Sequence, residues 1–200
     1  KRNTEMNLSE LFEKAIAAPQ ITIGNETQVT ILEEASQVFI ALQGSVELQD
    51  WKYNFDFWAA HYKNMPVKWY AHRGFVKCWK EAEEEFAKLI EPYVGKKPII
   101  LLGYSHGAAL ALLAYEYLRF HDIAAKVYCF GCPRVLWFPR KEILARFGDA
   151  VLVRRRGDLV THVPFAWMGY RHAARLTKVG KPRLIWWKRH LIAEYGEALA

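Results

Sequence analysis

Hydrophobic positions along the chain follow two periods. Phe75, Cys78, Trp79, Ala82, Phe86, Leu89 and Ile90 recur at steps of three and four with charged residues between them, which predicts an amphipathic helix closed by Pro92 and Gly95. Residues 99–102 are apolar without interruption, β-branched at their start and too few for a helix, so they predict a buried strand. A helix rich in small residues follows over about residues 106–119. Residues 38–42 read as another short buried strand, ended by Gly44; 126–130 and 150–154 read as two more, with a helix over 139–147 between them. Near the N-terminus, Asn7 and Glu10 have the spacing of a capping box and open a helix that Pro19 stops. Residues 21–23 and 28–32 flank Gly24-Asn25 as a hairpin, and a hairpin around Gly180 and a helix over about 189–199 finish the chain. Trp51, Tyr53, Phe55, Phe57, Trp58, Tyr62, Trp69 and Tyr70 show no clean period, and the structure of that stretch is left open. Strands alternating with helices predict a mostly parallel central sheet with helices on both faces, an α/β fold.

Composition narrows the class. With 200 residues, 52% of them hydrophobic, the chain can close one core, so residues 1–200 are expected to form a single domain and disordered or low-complexity classes are excluded. No apolar run approaches the roughly 18 residues of a transmembrane helix, and the N-terminus lacks the apolar core of a signal peptide. Cys78, Cys129 and Cys132 cannot all pair within one chain, which mildly favours a reducing, cytoplasmic setting; because the chain opens on Lys1, secretion stays open. Cys129 and Cys132 have the spacing of a metal or redox half-site, but no second ligand pair accompanies them. A net charge of +7 favours encounter with anionic partners without choosing among nucleic acid, phospholipid surface and acidic substrate.

The chemistry concentrates where the buried strand meets the small-residue helix. Gly103-Tyr104-Ser105-His106-Gly107 is a G-x-S-x-G sequence. A serine on a tight strand-to-helix turn projects its Oγ off the sheet, and the flanking glycines let backbone and helix approach closely. The helix N-terminus favours developing negative charge. A serine hydroxyl is a weak nucleophile at neutral pH, so a base must take its proton and an acid must orient that base. In sheet hydrolases these follow in the order serine, acid, histidine. Among the later aspartates only Asp158 sits just beyond the C-terminal end of a predicted strand, with Arg154, Arg155 and Arg156 before it to favour its ionised form. Three histidines follow, His162, His172 and His190, and local pattern does not decide among them.

At this point the chain resembles the class 3 lipases, α/β-hydrolases acting on acylglycerols and related esters. Residues 41–45 (Ala-Leu-Gln-Gly-Ser) are similar to the family's strand ending in Arg-Gly-Ser or Arg-Gly-Thr, with Gln43 in place of the arginine. Asp50-Trp51 with Asp56, His72-Arg73-Gly74-Phe75, the serine elbow, Phe130-Gly131-Cys132-Pro133-Arg134-Val135 and the 157–164 segment follow in the family's order. The resemblance implies Ser105 as nucleophile, Asp158 as acid and His190 as base, since the family's histidine lies near the C-terminus. It also implies an oxyanion hole made by Ser45 and by the backbone N–H of His106. Where relatives have Gly-His-Ser-Leu-Gly-Gly, this chain has Tyr104, His106 and Ala108; the His106 side chain is expected to point to solvent.

The expected activity is therefore cleavage of carboxylic esters of lipids, as a triacylglycerol lipase or esterase, through an acyl-serine intermediate and with no metal or organic cofactor. Phospholipase A1 activity is the neighbouring alternative. A non-catalytic protein holding anionic membrane or nucleic acid is the alternative of another class, although no nucleic-acid motif is present. The aromatic stretch lies where the resemblance places a lid, with Phe57 and Trp58 expected over the acyl pocket and in transient contact with anionic lipid.

Overall fold

A computed structural model describes residues 7–44, 58–62, 69–181 and 190–200. The first helix, α1 (Leu8–Ala15), starts where the Asn7 side chain accepts the Ser9 N–H at 3.0 Å. Ile21–Ile23 (β1) and Thr27–Glu33 (β2) form the expected hairpin, with Gly24 at φ +58 in the turn. Val38–Gly44 (β3) pairs antiparallel with β2. Ala59–Tyr62 (β4) and Trp69–His72 (β5) come next, and His72 leads into α2 (Arg73–Ile90), whose apolar stripe buries Phe75, Trp79, Ala82, Phe86 and Ile90. Then follow β6 (Ile99–Tyr104), α3 (His106–Phe120), β7 (Ala125–Phe130), β8 (Leu136–Trp137), α4 (Lys141–Arg146), β9 (Val151–Arg155), β10 (Tyr170–Arg171), β11 (Leu176–Val179) and α5 (Ile192–Leu199).

Among the described residues the main sheet has the order β1-β2-β3-β6-β7-β9-β11, parallel from β3 onward. Its central strands β3 and β6 are buried and apolar over residues 38–42 and 99–102 because both faces are covered. Val38, Ile40, Leu42, Ile99 and Leu101 face α2 and α3, while Phe39, Ala41, Ile100 and Leu102 alternate onto the side holding Leu11 and Phe12 of α1 and Tyr195 of α5. The strand expected before Gly180 is present as β11, parallel to β9; the other half of the hairpin expected around Gly180 would lie in 182–189, outside the described residues.

A smaller antiparallel sheet, β10-β8-β5-β4, was not evident in the hydrophobic pattern. Its strands are two to four residues long, too short for a period to register. Of the aromatic stretch, Trp69 is buried and Trp58 is 70% exposed, whereas Trp51, Tyr53, Phe55 and Phe57 lie outside the described residues. Cys129 and Cys132 sit in the core. Among the described residues no helix is long and apolar enough to cross a membrane.

Candidate active site

Ser105 stands between the end of β6 and the start of α3. Its backbone is at φ +56, ψ −122, a left-handed conformation that a non-glycine residue adopts at a cost, as expected of a sharp strand-to-helix turn. Two glycines make the turn sterically feasible. A Cβ on Gly103 would lie 2.4 Å from the Gly107 carbonyl oxygen, and one on Gly107 would lie 2.0 Å from the Leu42 carbonyl oxygen. The motif's glycines are thus required by close approach of α3 to β3 and β6.

His190 and Asp158 converge on the serine from distant parts of the chain. Ser105 Oγ lies 2.7 Å from His190 Nε2, and His190 Nδ1 lies 2.9 Å from Asp158 Oδ2. The two ring nitrogens are bridged to different partners, so the imidazole can accept the serine proton on one side while its other N–H is held by the carboxylate. Asp158 is fully buried and His190 nearly so. The Val160 N–H donates to Asp158 Oδ1 at 2.9 Å, and the Tyr195 hydroxyl donates to Oδ2 at 2.5 Å. Gly131, at φ +61 after β7, clears the space for this arrangement: a Cβ there would lie 2.9 Å from His190 Cε1.

With strand order, serine turn and the three side chains in view, a class 3 lipase family model matches residues 39–168, more than half of the chain. The chain belongs to the class 3 lipase family. It is 25% identical over 146 residues to a secreted mono- and diacylglycerol lipase of Fusarium solani, a match covering 69% of this chain and 42% of that one. The mono- and diacylglycerol lipase from Aspergillus oryzae superposes with a TM-score of 0.69 at 24% identity, over 82% of this chain and 62% of that one. The Rhizomucor miehei triacylglyceride lipase gives a TM-score of 0.68 at 19% identity, over 81% and 65%. These structures share the α/β-hydrolase fold. The chain spans less than half the length of the curated relatives it matches.

His162 and His172 are not joined to Ser105: His162 Nε2 meets Arg154 at 3.0 Å, and His172 Nε2 meets the Thr161 carbonyl at 2.8 Å. Burial first, then the nearby Arg134, holds the His172 imidazole down at about 4. Ser45, Asp50 and Asp56 lie outside the described residues. His106 is the first residue of α3, where a helix supplies no acceptor of its own to the backbone N–H. Its side chain does not point to solvent. It is buried edge-on against Phe75, ring centroids 5.3 Å apart, and occupies the space a Cβ on Gly44 would need. Burial lowers its pKa to about 4, so the ring is neutral. Gln43, which replaces the family's arginine, donates from Nε2 to the Ala17 carbonyl at 2.5 Å and ties the end of β3 to the segment after α1.

Two tyrosines complete the site without having been read as part of it. The Tyr104 ring stacks on His190 at 5.2 Å and 18°, and its hydroxyl donates to the His190 carbonyl. Burial, reinforced by the negative charge of Asp158, keeps the Tyr195 phenol well above its usual pKa, so it stays a donor. A cavity of about 200 Å³ opens beside Ser105, lined among others by Ile16, Gly44, Tyr104 and Ile192. Tyr195→Phe removes one charge-assisted hydrogen bond from Asp158, a contribution of about 1.5–3 kcal/mol when intact. The expected result is a kcat lowered about tenfold or more with KM little changed, measured by steady-state ester hydrolysis. An equal loss in KM instead would place Tyr195 in substrate binding.

Proposed function

We propose that this chain is a serine hydrolase cleaving carboxylic esters of lipids, with residues 1–200 forming one α/β-hydrolase domain. Ser105 is the nucleophile, His190 the general base and Asp158 the acid that orients it. The observation that carries the reading is the continuous path from Ser105 Oγ through both nitrogens of His190 to Asp158, at 2.7 and 2.9 Å. His190 takes the serine proton as Oγ attacks the ester carbonyl carbon, then returns it to the departing alcohol oxygen. Water repeats the sequence on the acyl-serine and releases the acid. The backbone N–H groups of His106 and Ser45 receive the tetrahedral oxyanion. Protein groups carry every step, so no metal or organic cofactor is invoked.

Acylglycerols are the favoured substrates, supported by the family and by the mono- and diacylglycerol lipases the chain is similar to. Transient contact with anionic lipid surfaces belongs to the same reading. It is supported by the +7 net charge and by exposed aromatic rings at Trp58 and Trp167. A fluorophosphonate probe should label the folded chain once, at Ser105, as mapped by mass spectrometry, and a panel of esters of graded acyl length should then define the preferred substrate. A folded chain that neither labels nor hydrolyses any ester in the panel would favour the non-catalytic binding protein.

A further inference from the structure

The triple-arginine run before Asp158 divides on folding. Arg155 turns toward α5, where its Nη2 pairs with Glu194 Oε2 at 2.6 Å and its Nε donates to the Glu194 carbonyl at 2.8 Å. Arg154 alternates onto the other side of the sheet, and there it stands in register with Lys178 of the parallel strand β11. Paired residues on adjacent strands project from the same face about 4.8 Å apart at the backbone, so two cations lie side by side.

The surroundings add positive charge. Arg134 reaches from the segment after β7 and donates to the carbonyls of His162 and Pro164. Its guanidinium is held below its usual pKa by burial and by the cations of Arg171 and Arg154. Arg154 Nη1 lies 3.0 Å from His162 Nε2; since arginine can only donate, that nitrogen accepts and His162 is neutral. The Nε of Arg154 is buried and makes no hydrogen bond. Among the described residues no carboxylate forms an ion pair with Arg134, Arg154, Arg171 or Lys178. Asp158, the carboxylate whose charge reaches His162, is engaged by His190, Tyr195 and the Val160 N–H. An open groove lined by Arg156, Arg175, Leu176, Thr177 and Lys178 meets the cluster at Lys178.

Like charges brought into register without a counter-ion oppose folding, and planar guanidinium groups match the oxygens of a phosphoryl group. We infer that Arg154 and Lys178, with Arg134 and Arg171 beside them, form a binding site for a phosphate oxyanion on one face of β9 and β11. The ligand is either free phosphate or the phosphate of a lipid headgroup. The site is separate from the serine chemistry and stands whether or not Ser105 is catalytic.

Thermal unfolding tests it. At constant ionic strength, replacing chloride by 10 mM inorganic phosphate should raise the Tm of the wild-type chain by about 5 °C. A parallel arm uses monomeric dihexanoyl phosphatidic acid with Ser105→Ala as the protein, so that no ester is consumed. A rise with phosphate alone assigns free phosphate, and a rise with the lipid assigns the headgroup. Lys178 is exposed, and two variants there separate ligand binding from fold damage. Lys178→Gln should abolish the rise. Lys178→Glu should melt above wild type in chloride, because the new carboxylate supplies the missing counter-charge, and should not respond to phosphate. No rise with either ligand, or an equal rise in both Lys178 variants, overturns the site.

Discussion

Ser105→Ala is expected to lower kcat for every ester the chain hydrolyses by about 10⁴–10⁶, and His190→Ala by a similar factor. The alanine at 105 removes one oxygen, and without it no acyl intermediate forms. Removing the imidazole leaves that oxygen protonated, with Nε2 no longer 2.7 Å away to take the proton. Because the two side chains act as one unit, the double variant should be no slower than either single variant. His162→Ala and His172→Ala should stay within about twofold of wild type, since their rings bond Arg154 and the Thr161 carbonyl and not the serine. Rates are compared after circular dichroism shows each variant folded. Substantial turnover by folded Ser105→Ala, or additive losses in the double variant, would remove these residues from the chemistry.

The parts of this site were unequally legible in the sequence. Ser105 was visible because its demands are local: a strand, a sharp turn and a helix contiguous in the chain, with glycines where the backbones touch. Asp158 was reachable from its place after a predicted strand. His190 was not distinguishable from His162 and His172 by any local pattern, because what selects it is a docking of distant segments; the family resemblance singled it out. The same limit explains the misreading of His106. Next to a serine that substrate must reach it looks surface-bound, yet it fills the space left by the missing Cβ of Gly44, sixty-two positions earlier. Tyr104 and Tyr195 escaped for a related reason, since an aromatic residue in an apolar segment reads as core until its hydroxyl is seen on a carbonyl or a carboxylate.

The fold shows the same division. Strands β3 and β6 are buried on both faces and therefore apolar over residues 38–42 and 99–102, β7 and β9 keep shorter apolar runs beside Lys126 and Arg154-Arg155, and α2 carries a full stripe at helical spacing. Such patterns survive without knowledge of the partner. The small sheet depends instead on pairings such as Tyr70 with Trp137 and Tyr170 with Trp137, each of which has meaning only once three separated segments meet.

Arg146→Met is the substitution expected to damage the fold most. Glu116 lies in α3, the helix that presents Ser105, and is fully buried; Arg146 of α4 grips both of its oxygens, Nε at 2.9 and 2.8 Å and Nη2 at 2.7 Å. Desolvation raises the Glu116 pKa even with that partner in place, and Arg146 opposes the rise. Without Arg146 the carboxylate is buried and uncompensated, a defect of about 3–5 kcal/mol near neutral pH. The sign of the pH dependence follows from the raised folded-state pKa. Between the unfolded value and the folded one the native state holds the extra proton, so the penalty is full above the folded pKa and shrinks as pH falls toward the unfolded carboxylate range. Urea unfolding of Arg146→Met at pH 8 and pH 5 should therefore show the larger deficit at pH 8. Glu116→Gln combined with Arg146→Met should recover most of the loss, because no buried charge then remains. A deficit equal at both pH values and unrelieved in the double variant would mean that Arg146 acts through packing of its stem and not through the charge of Glu116.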